Sequence, residues 1–179
     1  MSLCVDFFQA DFGSFAVLWR TNPFRIVSVE LPPLDRKALM LTATPKKDAR
    51  VTAWVSRWRE VQDSSDCLSC MDWKGLGSFH KKVLLTLHAN VPKGRVVTYA
   101  GLAIMSGSPK AFRAVGGAMA RNPFPLFIPC HRTIGGARAL GGFQQGSAGG
   151  LILKRQMLES EGVRFDSKGR ILSEFILPL

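Results

Sequence analysis

Residues 96–123 read VVTYAGLAIMSGSPKAFRAVGGAMARNP. Thr98 precedes a short apolar run, YAGLAIM, and its hydroxyl suits it to cap a helix there, because the first backbone N–H groups of a helix lack internal partners. SGSP then reads as a turn. Ser108 is expected to cap a second helix that starts at Pro109, where a fixed φ and a missing N–H do no harm, and ends by Asn122-Pro123. A longer helix precedes both, running from Phe79 through Val83, Leu84 and Leu87 until Pro92 and Gly94 stop it. Two short helices joined by a tight turn after a longer one predict a helix-turn-helix arrangement. The second helix is unusual, since AVGGAMA places two glycines inside it at about 1 kcal/mol each against alanine. So small a face lets another backbone approach, either a packed helix or a nucleic-acid strand, and Arg113 is the long cation near its start.

Upstream, GSFAVLWRT and RIVSVELPP are β-rich runs joined by NPF, which predicts a hairpin over residues 13–33. LDRKALMLTATPKKDAR carries no clear signal. Val51, Trp54, Val55, Trp58 and Val61 recur at helical spacing, so residues 49–62 are expected to form an amphipathic helix whose tryptophans serve the core. QDSSDCLSCMDWKGLGS breaks all periodicity, and a domain boundary is placed within it, giving residues 1–74 and 75–179. Downstream, LILKRQMLESEG predicts a helix closed by Gly162, and VRFDSKGRIL a small hairpin turning at Lys168-Gly169. The intervening GGARALGGFQQGSAGG has neither a Walker ending nor the strand-GxGxxG-helix order, so it is not read as a nucleotide site.

The 179 residues carry 24 Lys and Arg against 13 Asp and Glu, a net charge of +11 that favours a polyanionic partner such as nucleic acid or an acidic membrane surface. No apolar stretch approaches the roughly 20 residues that span a bilayer. The opening MSLCVDFFQADFGSF lacks the basic start and apolar core of a signal peptide, so a cytosolic, reduced chain is expected. Its four cysteines are then thiols. Cys67 and Cys70 form a CxxC pair, but only His80 and His88 follow, at irregular spacing, and no metal is expected.

FPLFIPCHRTIGG, residues 124–136, sets Cys130 between Pro129 and His131. Pro129 keeps the preceding residue out of a helix, which suggests that Cys130 lies at the mouth of an apolar strand. His131 and Arg132 could lower its pKa into the thiolate range. Local chemistry leaves two readings open, a nucleophile or a buried structural thiol. Gly136 stands where a tyrosine-phosphatase cradle needs arginine.

GSFHKKVLLTLHANVPKGRVVTYAGLA, SPKAFRAVGGAMARNPFPLFIPCHR and AGGLILKRQMLESEG together resemble the O6-alkylguanine-DNA alkyltransferases, over residues 77–162; the first seventy residues match only in general plan. The resemblance implies an α/β N-terminal domain of ribonuclease-H-like topology and an α-rich winged-helix domain that binds double-stranded DNA through the minor groove and flips the alkylated guanine out. It implies Cys130 as alkyl acceptor, His131 as a base acting through water, Glu161 as the carboxylate orienting it, and Asn122 as the holder of the active-site turn. Arg113 would fill the vacated stack and Tyr99 would contact the flipped nucleotide, with Ser108 and Arg132 among the DNA- and substrate-contacting residues. Neither metal nor organic cofactor is implied, and a monomer is expected, cytoplasmic or, in a eukaryote, nuclear. The alternative is an inert sensor of alkylated DNA, against which Cys130 argues. Two departures stand out. QQGS lengthens the glycine-rich loop, and Phe112 replaces a small residue beside Arg113, either as a wedge against DNA or, the reading favoured here, packed inward.

Overall fold

LCVDFFQA, part of the segment used above only to reject a signal peptide, is the first strand. In the computed structural model, which describes residues 2–61, 65–144 and 148–178, β1 (Leu3–Ala10) pairs antiparallel with β2 (Gly13–Thr21), and β2 with β3 (Phe24–Glu30). The hairpin over residues 13–33 is therefore present as the second half of a meander. The unassigned stretch after it holds a short helix, α1 (Arg36–Thr42), whose start is fixed by Asp35: its carboxylate accepts from the Ala38 N–H at 3.0 Å. A two-residue strand, β4 (Thr44–Pro45), then runs parallel to β1, giving the sheet order β3-β2-β1-β4.

α2 (Ala49–Val61) buries Val51, Val55 and Trp58, as the periodicity predicts. The Trp58 ring meets Phe15 edge-on at 5.9 Å, a geometry that aromatic quadrupoles favour. Trp54 is half-buried and packs on Phe24, 5.6 Å between ring centres.

The chain separates into two units, Met1–Lys74 with Pro123–Phe127, and Gly75–Asn122 with Ile128–Leu179. Within the first, the Val29 N–H donates to the Pro123 carbonyl at 2.8 Å, and Phe124 meets Trp73 edge-on. The fold is thus a mixed α/β unit and a mostly helical one.

The helical unit begins with α3 (Ser78–Asn90), which buries Val83, Leu84 and Leu87. After β5 (Val97–Thr98) comes α4 (Tyr99–Met105), with Thr98 accepting from the Gly101 N–H at 3.0 Å, the cap that the sequence predicts. The next expectation needs correction. α5 spans Phe112–Ala120, not from Pro109, and Ser108 caps nothing. Ser108 instead opens a four-residue turn closed by the Ala111 N–H on its carbonyl at 2.9 Å, and Pro109 takes the second turn position, which its φ suits equally well.

β6 (Thr133–Ile134) pairs parallel with β5. The last helix, α6 (Ala148–Ser160), closes at Gly162 (φ 86°), with the Val163 N–H returning to the Leu158 carbonyl. The expected hairpin after it is a single bridge, Phe165 to Ile171, with a turn through Asp166 to Arg170. Val96, Ile134, Leu158, Val163 and Ile171 form a core cluster beneath these elements.

Candidate active site

Cys130 does not end a strand. FPLFI is turn-rich, and Cys130–Arg132 form a tight 3-10 turn in which the Arg132 N–H reaches the Pro129 carbonyl at 2.9 Å. Two prolines and the left-handed Leu126 (φ 74°) deny this segment a strand ladder. The turn is pinned from upstream, since Asn122 Nδ2 donates to the Ile128 carbonyl at 2.9 Å.

All three residues of the turn are buried, Cys130 retaining 6% exposure, His131 1% and Arg132 3%. Burial pushes the Cys130 thiol above its ordinary pKa, although a side-chain hydrogen bond from Asn122 and the nearby charge of Lys154 pull the other way. Sequence proximity of His131 and Arg132 suggests a lowered thiol pKa; the net shift at Cys130 is upward, with burial its largest cause. Arg132 is committed elsewhere, and deprotonation needs a base.

Glu161, at the C-terminal end of α6, gathers the rest. Its Oε1 lies 2.6 Å from His131 Nε2. Arg132 Nε donates to Oε2 at 2.9 Å and to Oε1 at 3.2 Å, and Nη2 to Oε1 at 3.0 Å, while Nη1 binds the Val91 carbonyl at 2.9 Å. The Gly94 N–H adds a bond to Oε2 at 3.3 Å. That loop must be glycine, because φ is 72° and a Cβ would stand 3.0 Å from the Glu161 carbonyl.

Burial alone would raise the Glu161 pKa, but the adjoining His131 and Arg132 more than offset it, taking it from 4.5 down to about 2. His131 is shifted downward, chiefly by burial, against the pull of Glu161. A neutral imidazole facing an ionised carboxylate carries its proton on Nε2, since the carboxylate only accepts. Nδ1 is then an acceptor, buried and without a hydrogen-bond partner among the described residues.

These shifts set an acid limit on stability. Both folded-state values lie below the unfolded ones, so the unfolded chain binds more protons as pH falls. The Glu161 contribution is complete above 4.5 and is lost as pH drops toward about 2, at about 3 kcal/mol for such a shift. That of His131 is eroded below 6.5. Urea unfolding should show a midpoint that falls steeply between pH 5 and pH 3 in the wild type; a flat midpoint would mean that Glu161 is not ionised in the fold.

One buried group escaped the sequence reading. Lys154, on α6, is fully buried and donates to the carbonyls of Thr133 and Leu140, both at 2.6 Å, and of Gly142 at 3.3 Å. Burial brings its pKa from 10.5 to about 8, against the pull of Cys130. The signal was available: Lys154 shares helical spacing with the buried Met157, Leu158 and Glu161.

Lys154 thereby ties the loop after β6 to the floor of the site. Tyr99, half-buried, donates its hydroxyl to the Gly142 carbonyl at 3.4 Å, and a Cβ on Gly141 would stand 3.0 Å from its ring. Of the inserted QQGS, Gln144 is described, and the remainder lies outside the described residues.

Arg113 is exposed near the start of α5. Phe112 does not pack inward: it is 47% exposed. Ser108 is half-buried in its turn. Among the described residues no three His, Cys, Asp or Glu side chains gather as a metal site, and neither Cys67 nor Cys70 is joined in a disulfide. No described helix is long and apolar enough to cross a membrane. Charge is unevenly shared. Residues 75–179 hold fourteen Lys and Arg against four Asp and Glu, so ten of the eleven net positive charges lie in this part of the chain.

Fold and site together define a basic, mostly helical unit carrying a buried cysteine, histidine and glutamate. Residues 78–163 match a family model described as 6-O-methylguanine DNA methyltransferase, DNA binding domain. It is 45% identical over 92 residues to a human methylated-DNA–protein-cysteine methyltransferase, a match covering 51% of this chain and 42% of the human one. To the enzyme of that name from Methanothermobacter thermautotrophicus it is 39% identical over 101 residues, covering 56% and 53%. The chain thus spans about half the length of these relatives. Its fold matches the crystal structure of the O6-methylguanine-DNA methyltransferase of Pyrococcus kodakaraensis with a TM-score of 0.70 at 26% identity, covering 90% of this chain and 99% of that one.

Proposed function

We propose that this protein repairs DNA by direct reversal, moving the alkyl group of O6-alkylguanine onto Cys130 in a single turnover. The observation that carries the reading is the relay Glu161, His131, Cys130, in which an imidazole is held by the carboxylate at Nε2 and keeps Nδ1 as an acceptor. A protonated thiol is a weak nucleophile and needs a base in reach. His131 takes the thiol proton through a water, and Sγ attacks the alkyl carbon in line with its bond to O6. The new S–C bond forms as C–O6 breaks, the electron pair stays on guanine, and the proton passed to His131 balances the one that guanine takes up. The thioether has no good leaving group, so the molecule is consumed.

Asn122 and Arg132 act by position, one holding the turn before Cys130 and the other fixing Glu161. The alkylated oxygen is out of reach of a thiol inside a duplex, so the guanine must be extruded at a cost of a few kcal/mol. The glycine face of α5 suits entry into a minor groove about 6 Å wide. Arg113 fills the vacated stack, Tyr99 contacts the flipped nucleotide, and Ser108 lies on the DNA side of its turn.

In this reading the first domain, residues 1–74, has ribonuclease-H-like topology and the second, 75–179, is a winged helix. The protein acts as a monomer without metal or cofactor, in the cytoplasm or the nucleus.

Incubation with a duplex containing O6-methylguanine should raise the intact mass by one methyl group, carried on the peptide containing Cys130. Binding without any mass gain at equimolar protein would favour the inert sensor instead.

A further inference from the structure

Of the large hydrophobic side chains exposed among the described residues, Phe112 is the one aromatic. It is the first residue of α5, and its ring centre lies 5.7 Å from the guanidinium carbon of Arg113. Lys110 and Arg113 on either side are exposed, and neither has a carboxylate partner among the described residues. Gly116 stands one turn along the same face, four residues from Phe112 and three from Arg113, with open space where a Cβ would be. An uncovered ring between unpaired cations, beside a backbone that can be approached closely, fits a polyanion with flat apolar faces inside it.

We propose that Phe112 is a second inserting residue: it enters the DNA minor groove beside Arg113 and wedges the base step next to the extruded guanine. Apolar side chains used in this way partly unstack a step and kink the duplex. Arg113 takes the vacated position, and Phe112 stacks on the neighbouring base. The charge on both sides of the ring selects nucleic acid over a second copy of this equally basic chain. The proposal rests on the alkyl-transfer reading and adds a residue to it.

The test compares methyl transfer from an O6-methylguanine duplex with transfer from the free O6-methylguanine base. In Phe112→Ala the ratio of the two rates should fall about tenfold, the consequence of one lost aromatic stack on a base. Phe112→Trp should restore it. A fall shared equally by both substrates, or no change in the ratio, overturns the wedge. Loss of self-association with the ratio unchanged would assign the ring to a second copy.

A second arm needs no transfer. In a Cys130→Ala background, 2-aminopurine beside the lesion should brighten on binding as the step opens, and Phe112→Ala should remove most of that gain; equal brightening overturns the proposal. If the wild type takes no methyl from either substrate, alkyl transfer fails, and the fluorescence alone decides Phe112.

Discussion

Cys130→Ala should abolish methyl transfer while the protein still binds the O6-methylguanine duplex. The turn that presents the cysteine is held by bonds that do not involve sulfur: Asn122 to the Ile128 carbonyl, Arg132 to the Val91 carbonyl, and the Arg132 N–H to Pro129. Removing one buried sulfur leaves a small cavity, costing on the order of 1 kcal/mol, so the fold survives. The chemistry does not, because the other thiols, Cys4, Cys67 and Cys70, all belong to the α/β unit, whereas His131 and Glu161 belong to the helical one. Intact-mass spectrometry after incubation with the duplex should show no added methyl, and fluorescence anisotropy should still show binding. Methyl gain in the variant would move the acceptor away from Cys130.

Much of the helical unit is legible in its capping chemistry. Thr98 ahead of α4 and Gly162 after α6 act through local backbone geometry, which a sequence displays directly. Pro109 misled for the same reason, since its fixed φ fits the first turn of a helix and the second position of a β-turn equally well. β1 was hidden because LCVDFFQA alternates poorly: Asp6 is 7% exposed, inside the sheet rather than on its surface.

At the site, residue identities were readable and their states were not. CHR places a thiol, an imidazole and a guanidinium side by side, which suggests a cation-activated cysteine. Only the fold shows that Arg132 turns away to Glu161, 29 residues on, and that burial pushes the thiol pKa up. Lys154 makes the same point, because a lysine among apolar helix positions reads as a break in the pattern until three carbonyls are found around its amine.

Glu161→Gln should lower the transfer rate by about 10²-fold or more, the range in which a positioned base contributes, and destabilise the fold by about 3–5 kcal/mol. The two losses have separate origins. Glutamine keeps the shape of the side chain but removes its charge, leaving the Arg132 guanidinium, 3% exposed, without a counter-ion. It also offers His131 an amide in place of a carboxylate, so the ring is no longer held with its proton on Nε2. A second substitution divides them. Arg132→Met added to Glu161→Gln removes the stranded charge and should recover much of the urea midpoint, because a buried pair replaced as a pair costs far less than a broken one. It restores no carboxylate beside His131, so the rate should stay low and its pH profile should remain displaced from that of the wild type. Recovery of rate along with stability would reduce Glu161 to a structural partner of Arg132 and leave His131 without an orienting group.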